Sequence, residues 1–569
     1  MSPAAIRQMR FQVASHRQTA LGRSRQRLVI GLMLFGLVVV IFALRLIDLT
    51  VLDERVRVNN VNLLAGLTPE RADIIDRNGA SLARSFEAYA IAIRPQDVVG
   101  DRQLVAQQLS AALPGLTLEK SVAILNSNHK FSYVQRRVLP SDAKRINAIG
   151  EPAIILQRER ERLYPNLDLA AHVIGYTDVD GKGASGIEGA FEERLSRVDM
   201  RGKPLQLAMD SRVQMALESE LGNAMTKFSA IGAAGVVLDA NTGEILAMVS
   251  LPQFNPNNAG RGDDNQRFNR ATLGVYELGS TFKAFTMAMA IEAGVITGWD
   301  QLWDCTHDLK VARFSIRDTH PLHKMATVPE IFKESSNIGT AQIARSLGSV
   351  RQQEFLKGLG FMEPVSVELK AKGRVLNPGA NWGDIATMTV GYGHGISVTP
   401  LHLASGYAAL VNGGIWRPAT VLKVGAHHPV PSGRRVFSEA TSAKARELLR
   451  LVVLDGTGKK AAAPGYRVGG KTGTAEKVVG GRYSRGLVVT NFAGVFPMDN
   501  PRYVVVAMLD EPKGTKDSYG FKTAGWNVAP VVGRVIERIA PALGVIPDEA
   551  LDAQISPLMP YIHEAKAAE

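Results

Sequence analysis

Polar and basic positions fill the start of the chain, and at Leu28 the pattern switches to an uncharged apolar run that lasts to Leu44. Leu46 and Ile47 extend it past Arg45, whose long side chain can keep its charge at the lipid boundary. About 20 residues at a rise of ~1.5 Å cover ~30 Å, so residues 28–47 are expected to form a single N-terminal transmembrane helix. No small-x-small pattern follows the run, which favours an uncleaved anchor over a signal peptide. The arginines ahead of it place residues 1–27, a basic tail, in the cytoplasm and the chain beyond about residue 48 outside.

Beyond the anchor, the stretch to about Ala65 has no Gly or Pro and reads as a helical stalk. Residues 68–79 alternate and end at Asn78-Gly79, a strand turning into a hairpin with residues 80–86. A mixed region follows to about Gly222, with a Gly-rich loop at 178–189 and an amphipathic helix through Ala216 and Leu221. Residues 233–239 and 245–250 are nearly continuous apolar runs joined by a short turn, a hairpin of buried strands that starts a second domain. Thr327 and Glu330 are spaced as a capping box for a helix running toward Glu334. Residues 487–495 and 503–509 read as strands, and 531–543 as a closing helix. Strands at both ends of this domain with helices between predict one antiparallel sheet assembled from both ends, an α+β fold with a helical subdomain. The expected divisions are a mixed pedestal at 48–228, a second domain at 229–545 and a tail at 546–569.

Composition adds exclusions. With 46% hydrophobic and 21% charged residues the chain is a folded protein rather than a disordered one. Half of the net charge of +12 comes from Arg7, Arg10, Arg17, Arg23, Arg25 and Arg27, in a tail without acidic residues. The remainder is mildly basic and carries no zinc-finger spacing or stacking pattern, so nucleic acid is excluded as a partner. A single cysteine, Cys305, rules out an intramolecular disulfide. Cys305, His307, His320 and His323 have zinc-like residue types; a buried thiol beside a histidine-bearing hairpin is the alternative, and metal analysis separates the two. Asp178, Asp180 and Glu188 lack the EF-hand spacing and are taken as a salt-bridged turn.

The chemistry is expected at Ser280. Gly279 permits a sharp turn and good helix formers follow, so Ser280 and Lys283 fall on one face at the start of a helix. A half-buried amine at a helix N-terminus is neutral more easily and can accept the serine's proton. Ser-x-x-Lys also occurs at Ser127/Lys130 and Ser141/Lys144, in polar stretches without the glycine turn. Two unique motifs single out Ser280: Ser335-x-Asn337 and Lys471-Thr472-Gly473-Thr474. Ser335 can relay a proton to a leaving amine, and Asn337 can hold both a lysine and a substrate amide. Lys471 offers a fixed charge, Thr472 and Thr474 offer hydroxyls to a carboxylate, and Gly473 leaves room for a substrate backbone along a strand edge. Backbone N–H groups of Ser280 and Thr474 could hold the oxyanion of acyl transfer.

This trio, in this order, resembles the penicillin-binding proteins. Arg71 to Gly79, Arg162-Leu163-Tyr164-Pro165 and Gly183 to Glu188 are similar to the linker and pedestal motifs of class B members, and Gly391 to Pro400 to a segment bordering their site. Residues 172–181 look more like the cell-division (septal) branch than the elongation branch. Leu278 stands where many relatives have Pro, and Ala72 where Gly is usual. The resemblance implies a penicillin-binding/β-lactamase-like transpeptidase domain on a non-catalytic pedestal, held at a bacterial inner membrane with its catalytic domain periplasmic. It implies a peptidoglycan D,D-transpeptidase that cross-links stem peptides through a Ser280 acyl-enzyme, with Lys283, Ser335, Asn337 and Lys471 catalytic and Thr472, Gly473 and Thr474 binding substrate. β-Lactam antibiotics would acylate the same serine, no cofactor is implied, and the implied partners are a polytopic septal glycosyltransferase and other divisome proteins. A β-lactam sensor, a β-lactamase and an inert divisome scaffold are the competing classes; the Glu-x-x-Leu-Asn pattern of a deacylating enzyme is absent between Ser335 and Lys471.

Overall fold

The computed structural model describes residues 29–43, 71–200, 202–552 and 558–562. Residues 29–43 form a helix with its apolar side chains exposed. Among the described residues no helix is long and apolar enough to cross a membrane. The basic tail, the ends of the expected anchor and the expected stalk lie outside the described residues. From Arg71 onward the chain is a compact body of its own.

The pedestal is built on one long strand, Ser81–Ile93. It pairs antiparallel with Ile154–Leu163 along one edge and with Ser132–Val138 along the other. The expected hairpin is present but displaced: the strand before it is only Ile74–Ile75, and the one after it runs past Phe86 because Ala88 and Ala90 to Ile93 are buried. At the turn, the Asp76 carboxylate accepts from the N–H groups of Asn78 and Ala80, and Gly79 takes a φ of +91°. Helices Arg102–Ala112, Leu118–Leu125 and Pro140–Asn147 cover the far end of the sheet around Ile91, Ile93, Val105, Leu109, Leu125 and Ile146.

A buried ion cluster joins three separated pedestal segments. Glu188, fully buried, accepts from Arg71 Nε at 2.5 Å and Arg162 Nε at 2.6 Å, while the Tyr164 hydroxyl donates to it at 3.3 Å. Arg71 also reaches Glu192 at 2.7 Å. Glu188 is thus committed to two guanidinium groups, whereas Asp178 accepts from the N–H groups of Asp180 and Lys182, so of the three acidic residues of the Gly-rich loop it is Glu188 that is salt-bridged. The hairpin is tied to the segment that leads toward the second domain: Ser211 Oγ donates to Asp76, and Ile74–Ile75 pairs parallel with Leu205–Gln206.

The second domain holds the predicted sheet. Its order is Gly469–Val479, Arg482–Phe496, Tyr503–Asp510, Gly232–Asp239, Ile245–Leu251, every neighbour antiparallel. Alternate side chains face opposite ways, so both faces of these apolar strands are buried. Val237, Leu246 and Val505 pack under helices Ser211–Lys227 and Ala529–Ile539. Val236, Leu238, Met248, Val504 and Val506 face the helical body that contains Lys283–Glu292, Asn337–Leu347 and Pro400–Val411. The closing helix starts earlier than the apolar pattern implies, because Pro530 suits its first turn, and it stops at Ile539, ahead of Pro541. Part of the expected tail returns to the body: Leu558 is buried, and Thr327 Oγ1 donates to the Tyr561 carbonyl at 2.8 Å.

Removing Glu188 takes the carboxylate from the buried Arg162 guanidinium and leaves Arg71 with Glu192 alone, so Glu188→Ala is expected to cost about 3–5 kcal/mol, read as a lower denaturant midpoint at unchanged slope.

Candidate active site

Ser280 does not begin an α-helix directly. It lies in a 3₁₀ turn, Gly279–Phe282, that hands over to the α-helix Lys283–Glu292. In a 3₁₀ turn residues three apart eclipse, so this turn also suits the expected placing of Ser280 and Lys283 on one face, and the Lys283 N–H donates to the Ser280 carbonyl. The Tyr407 hydroxyl donates to the Thr281 carbonyl at 2.9 Å and fixes the turn from beneath. Its outer side meets the sheet. Gly279 has a φ of +57°, and a Cβ there would lie 2.7 Å from the Thr474 carbonyl oxygen; a Cβ on Gly473 would lie 2.3 Å from the Leu278 oxygen. Backbone therefore packs on backbone at this junction, and Asn491 Nδ2 donates to the Leu278 carbonyl at 2.9 Å to hold it.

The three motifs meet around one hydroxyl. Ser335 Oγ lies 3.2 Å from Lys283 Nζ and 2.9 Å from Lys471 Nζ, and Asn337 Oδ1 accepts from Lys283 at 2.7 Å. Both lysine side chains are completely buried. Burial holds the Lys283 amine well below its usual range, and the charge of Lys471 pushes it further in the same direction. Burial brings Lys471 down to about 7, so its charge is conditional rather than fixed as the sequence suggests.

Lys471, Thr472, Gly473 and Thr474 lie on Gly469–Val479, an edge strand of the sheet. In an antiparallel ladder the N–H and C=O of one residue point to the same side. The Thr474 carbonyl faces the Ser280 turn, so its N–H opens toward the same edge. Thr474 Oγ1 accepts from Ala524 N at 3.1 Å, which leaves its hydrogen free to donate. Thr472 Oγ1 pairs with Thr457 Oγ1 at 2.8 Å and lies 3.4 Å from Lys471 Nζ.

Sequence reasoning missed Asp318. Its carboxylate accepts from Ser336 Oγ at 2.6 Å, from Ile338 N at 3.0 Å and from Asn337 N, at the head of Asn337–Leu347. These bonds hold Ser335 in a left-handed conformation, φ +60°, which turns its carbonyl and hydroxyl toward Lys283. No pattern within the motif announces that strain; only the histidine-bearing segment around His320 pointed to the neighbourhood. Ser127 and Ser141 remain in the pedestal, Ser127 just after the helix Leu118–Leu125 and Ser141 in the first turn of Pro140–Asn147. Cys305 is buried with Sγ 3.8 Å from Ser336 Oγ, while His307 and His323 contact Thr306. Among the described residues no group of three or more His, Cys, Asp or Glu side chains is arranged to hold a metal ion.

The comparisons with known proteins agree with this geometry. Residues 233–533 match the penicillin binding protein transpeptidase domain, and residues 67–203 the penicillin-binding protein dimerisation domain. The chain is similar to a probable peptidoglycan D,D-transpeptidase FtsI of Caulobacter vibrioides, 40% identical over 84% of this chain and 82% of that one. It is 33% identical to the peptidoglycan D,D-transpeptidase FtsI of Escherichia coli K12, over 85% of each. Among solved structures, penicillin binding protein 3 of Mycobacterium tuberculosis complexed with aztreonam superposes with a TM-score of 0.67 at 26% identity, covering 84% of this chain and 98% of that one. The same protein complexed with ampicillin gives 0.66, covering 84% and 97%. With its pedestal, its sheet and its three converging motifs, the chain belongs to the class B penicillin-binding proteins, in their FtsI-type branch.

Proposed function

We propose that this protein is a peptidoglycan D,D-transpeptidase of cell division, which cross-links stem peptides through an acyl-enzyme on Ser280. The observation that carries the assignment of roles is the convergence of Lys283 and Lys471 on Ser335 Oγ behind the Ser280 turn. Lys283, neutral through burial, takes the Ser280 proton as its oxygen attacks the carbonyl between the two terminal D-alanines. Ser335, between the two amines, passes a proton to the departing D-alanine nitrogen. The N–H groups of Ser280 and Thr474 hold the oxyanion, and Lys471, Thr472 and Thr474 take the terminal carboxylate, with Gly473 giving the peptide access to the strand edge. An amine from a neighbouring stem then attacks the ester, and Ser280 leaves with a proton.

β-Lactams, which present a strained amide and a carboxylate, fit the same residues; the aztreonam and ampicillin complexes of the Mycobacterium tuberculosis relative support this. The hydrophobic run at 28–47 supports a single-pass inner-membrane anchor, with residues 1–27 cytoplasmic, a pedestal to about 228 and a periplasmic catalytic domain at 229–545. The pedestal and anchor are the surfaces we assign to a polytopic septal glycosyltransferase and other divisome proteins.

A fluorescent penicillin is expected to label the wild-type protein and to leave Ser280→Ala at background; labelling that survives the substitution overturns the assignment. The adduct is expected to persist for many minutes, and rapid turnover of a chromogenic cephalosporin counts against a transpeptidase. Acylation by an anionic β-lactam is expected to fall on the acid side, as Lys283 gains a proton and can no longer accept one. It falls again on the alkaline side above about pH 7, as Lys471 loses its charge, and a bound carboxylate moves that limb upward. Second-order acylation rates across pH provide the check, and a flat profile contradicts the paired-lysine account.

A further inference from the structure

Three residues before Ser280, Glu277 is a carboxylate with no cation to balance it. Its oxygens accept from Gly395 N at 3.0 Å and from the Tyr483 hydroxyl at 3.1 and 3.2 Å, and Oε2 lies 3.6 Å from His394 Nδ1. No lysine or arginine pairs with it among the described residues. His394 does not supply the missing charge: burial holds its pKa down to about 4, so the imidazole is neutral near pH 7 and the contact is between a charge and a dipole. Gly393, next to His394, packs on Gly279, next to Ser280: a Cβ on Gly393 would lie 2.1 Å from the Gly279 carbonyl oxygen, which places this cluster beside the Ser280 turn. The rings of Tyr392, His394 and Tyr483 form a row, with centroids 5.3 and 5.6 Å apart, and Glu277 is linked to it through Tyr483 and His394. Glu277 keeps 13% of its side chain exposed and His394 28%, so the recess opens to solvent.

Three segments meet here: the segment entering the Ser280 turn, the turn at 391–395, and the hairpin joining Gly469–Val479 to Arg482–Phe496. The donor's carboxylate is assigned to Lys471, Thr472 and Thr474 on the sheet edge, which leaves this recess to the second substrate. A carboxylate with a lone pair to spare, set among π-faces, favours an organic cation.

We propose that Glu277, with Tyr483 and His394, forms the subsite that receives the acceptor of the transfer, a primary amine arriving as its ammonium ion. This rests on the acyl-transfer reading of Ser280. The ammonium gives one proton to the Glu277 carboxylate; the neutral nitrogen attacks the acyl carbonyl, the ester bond to Ser280 breaks, and the nitrogen's second proton goes to the Ser280 oxygen through Lys283. One hydrogen stays on the new amide, and Glu277 returns its proton to water. Burial raises the Glu277 pKa, which eases the first of these transfers.

The test uses the full chain in detergent, a soluble acyl-D-alanyl thioester as donor, and two acceptors: an aminoalkyl amide, cationic at neutral pH, and methoxyamine, which is neutral. The readout is the partition of the acyl-enzyme between aminolysis and hydrolysis, in which any change in the acylation rate cancels. Glu277→Gln keeps an oxygen for Gly395 and Tyr483 but removes the charge. It is expected to lower the partition toward the cationic amine about tenfold and to leave methoxyamine unaffected. Tyr483→Phe, at an exposed position, is expected to give a smaller drop of the same kind. An unchanged partition, or an equal loss with both amines, overturns the proposal and leaves Glu277 as a clip between segments. Absence of any acyl-enzyme in the wild type is a different failure, of the Ser280 reading itself.

Discussion

Two lysine amines are buried on one serine hydroxyl, and this constraint governs the site. Neither can leave for water, and both cannot be charged without strong repulsion, so the fold enforces a division of labour that lysine in solution does not have. The amine nearer the nucleophile becomes the base, and the one on the strand remains able to carry charge when an anion arrives. Because titrations in such a pair are coupled, the arrangement behaves as one unit whose proton count changes with what is bound.

Keeping that pair in place takes most of the domain. Lys471 is fixed by an eleven-residue strand paired along its length with Arg482–Phe496. Lys283 is fixed by a helix in the interior of the helical body, and Ser335 by the carboxylate of Asp318 acting on its neighbours. The contact between Gly279 and the strand carrying Thr474 locks the two halves of the domain together at the nucleophile. Substitution there moves a catalytic group rather than merely loosening the core, since the atoms in contact are backbone and have no rotamers to adjust.

Much of this was legible in the sequence, for identifiable reasons. The sheet strands are buried on both faces and so appear as unbroken apolar runs, and Ser280, Ser335, Asn337 and Lys471 sit in motifs whose chemistry is local. The boundaries shifted where turn chemistry overruled hydrophobicity, as at Pro530 and Pro541. The 3₁₀ turn under Ser280, the left-handed Ser335, the role of Asp318 and the recess at Glu277 were not legible. Each depends on a partner far along the chain, and no short window contains both members of the pair. Lys471 shows the same limit in electrostatic form: the residue type suggested a constant charge, and only its complete burial shows that the charge is negotiable.

The order of the strands carries a consequence for how the domain is made. Gly232–Asp239 finds its second neighbour only in Tyr503–Asp510, near the other end of the chain, with the whole helical body between them. A ribosome working from the N-terminus produces the first hairpin long before the strand that completes it exists. Throughout that interval the hairpin presents an open, apolar edge, the kind of template on which chains join wrongly. The sheet that gives the finished enzyme its rigidity is therefore its point of greatest exposure during birth, and the protein's yield in a cell depends on what shields Gly232–Asp239 until its partner arrives.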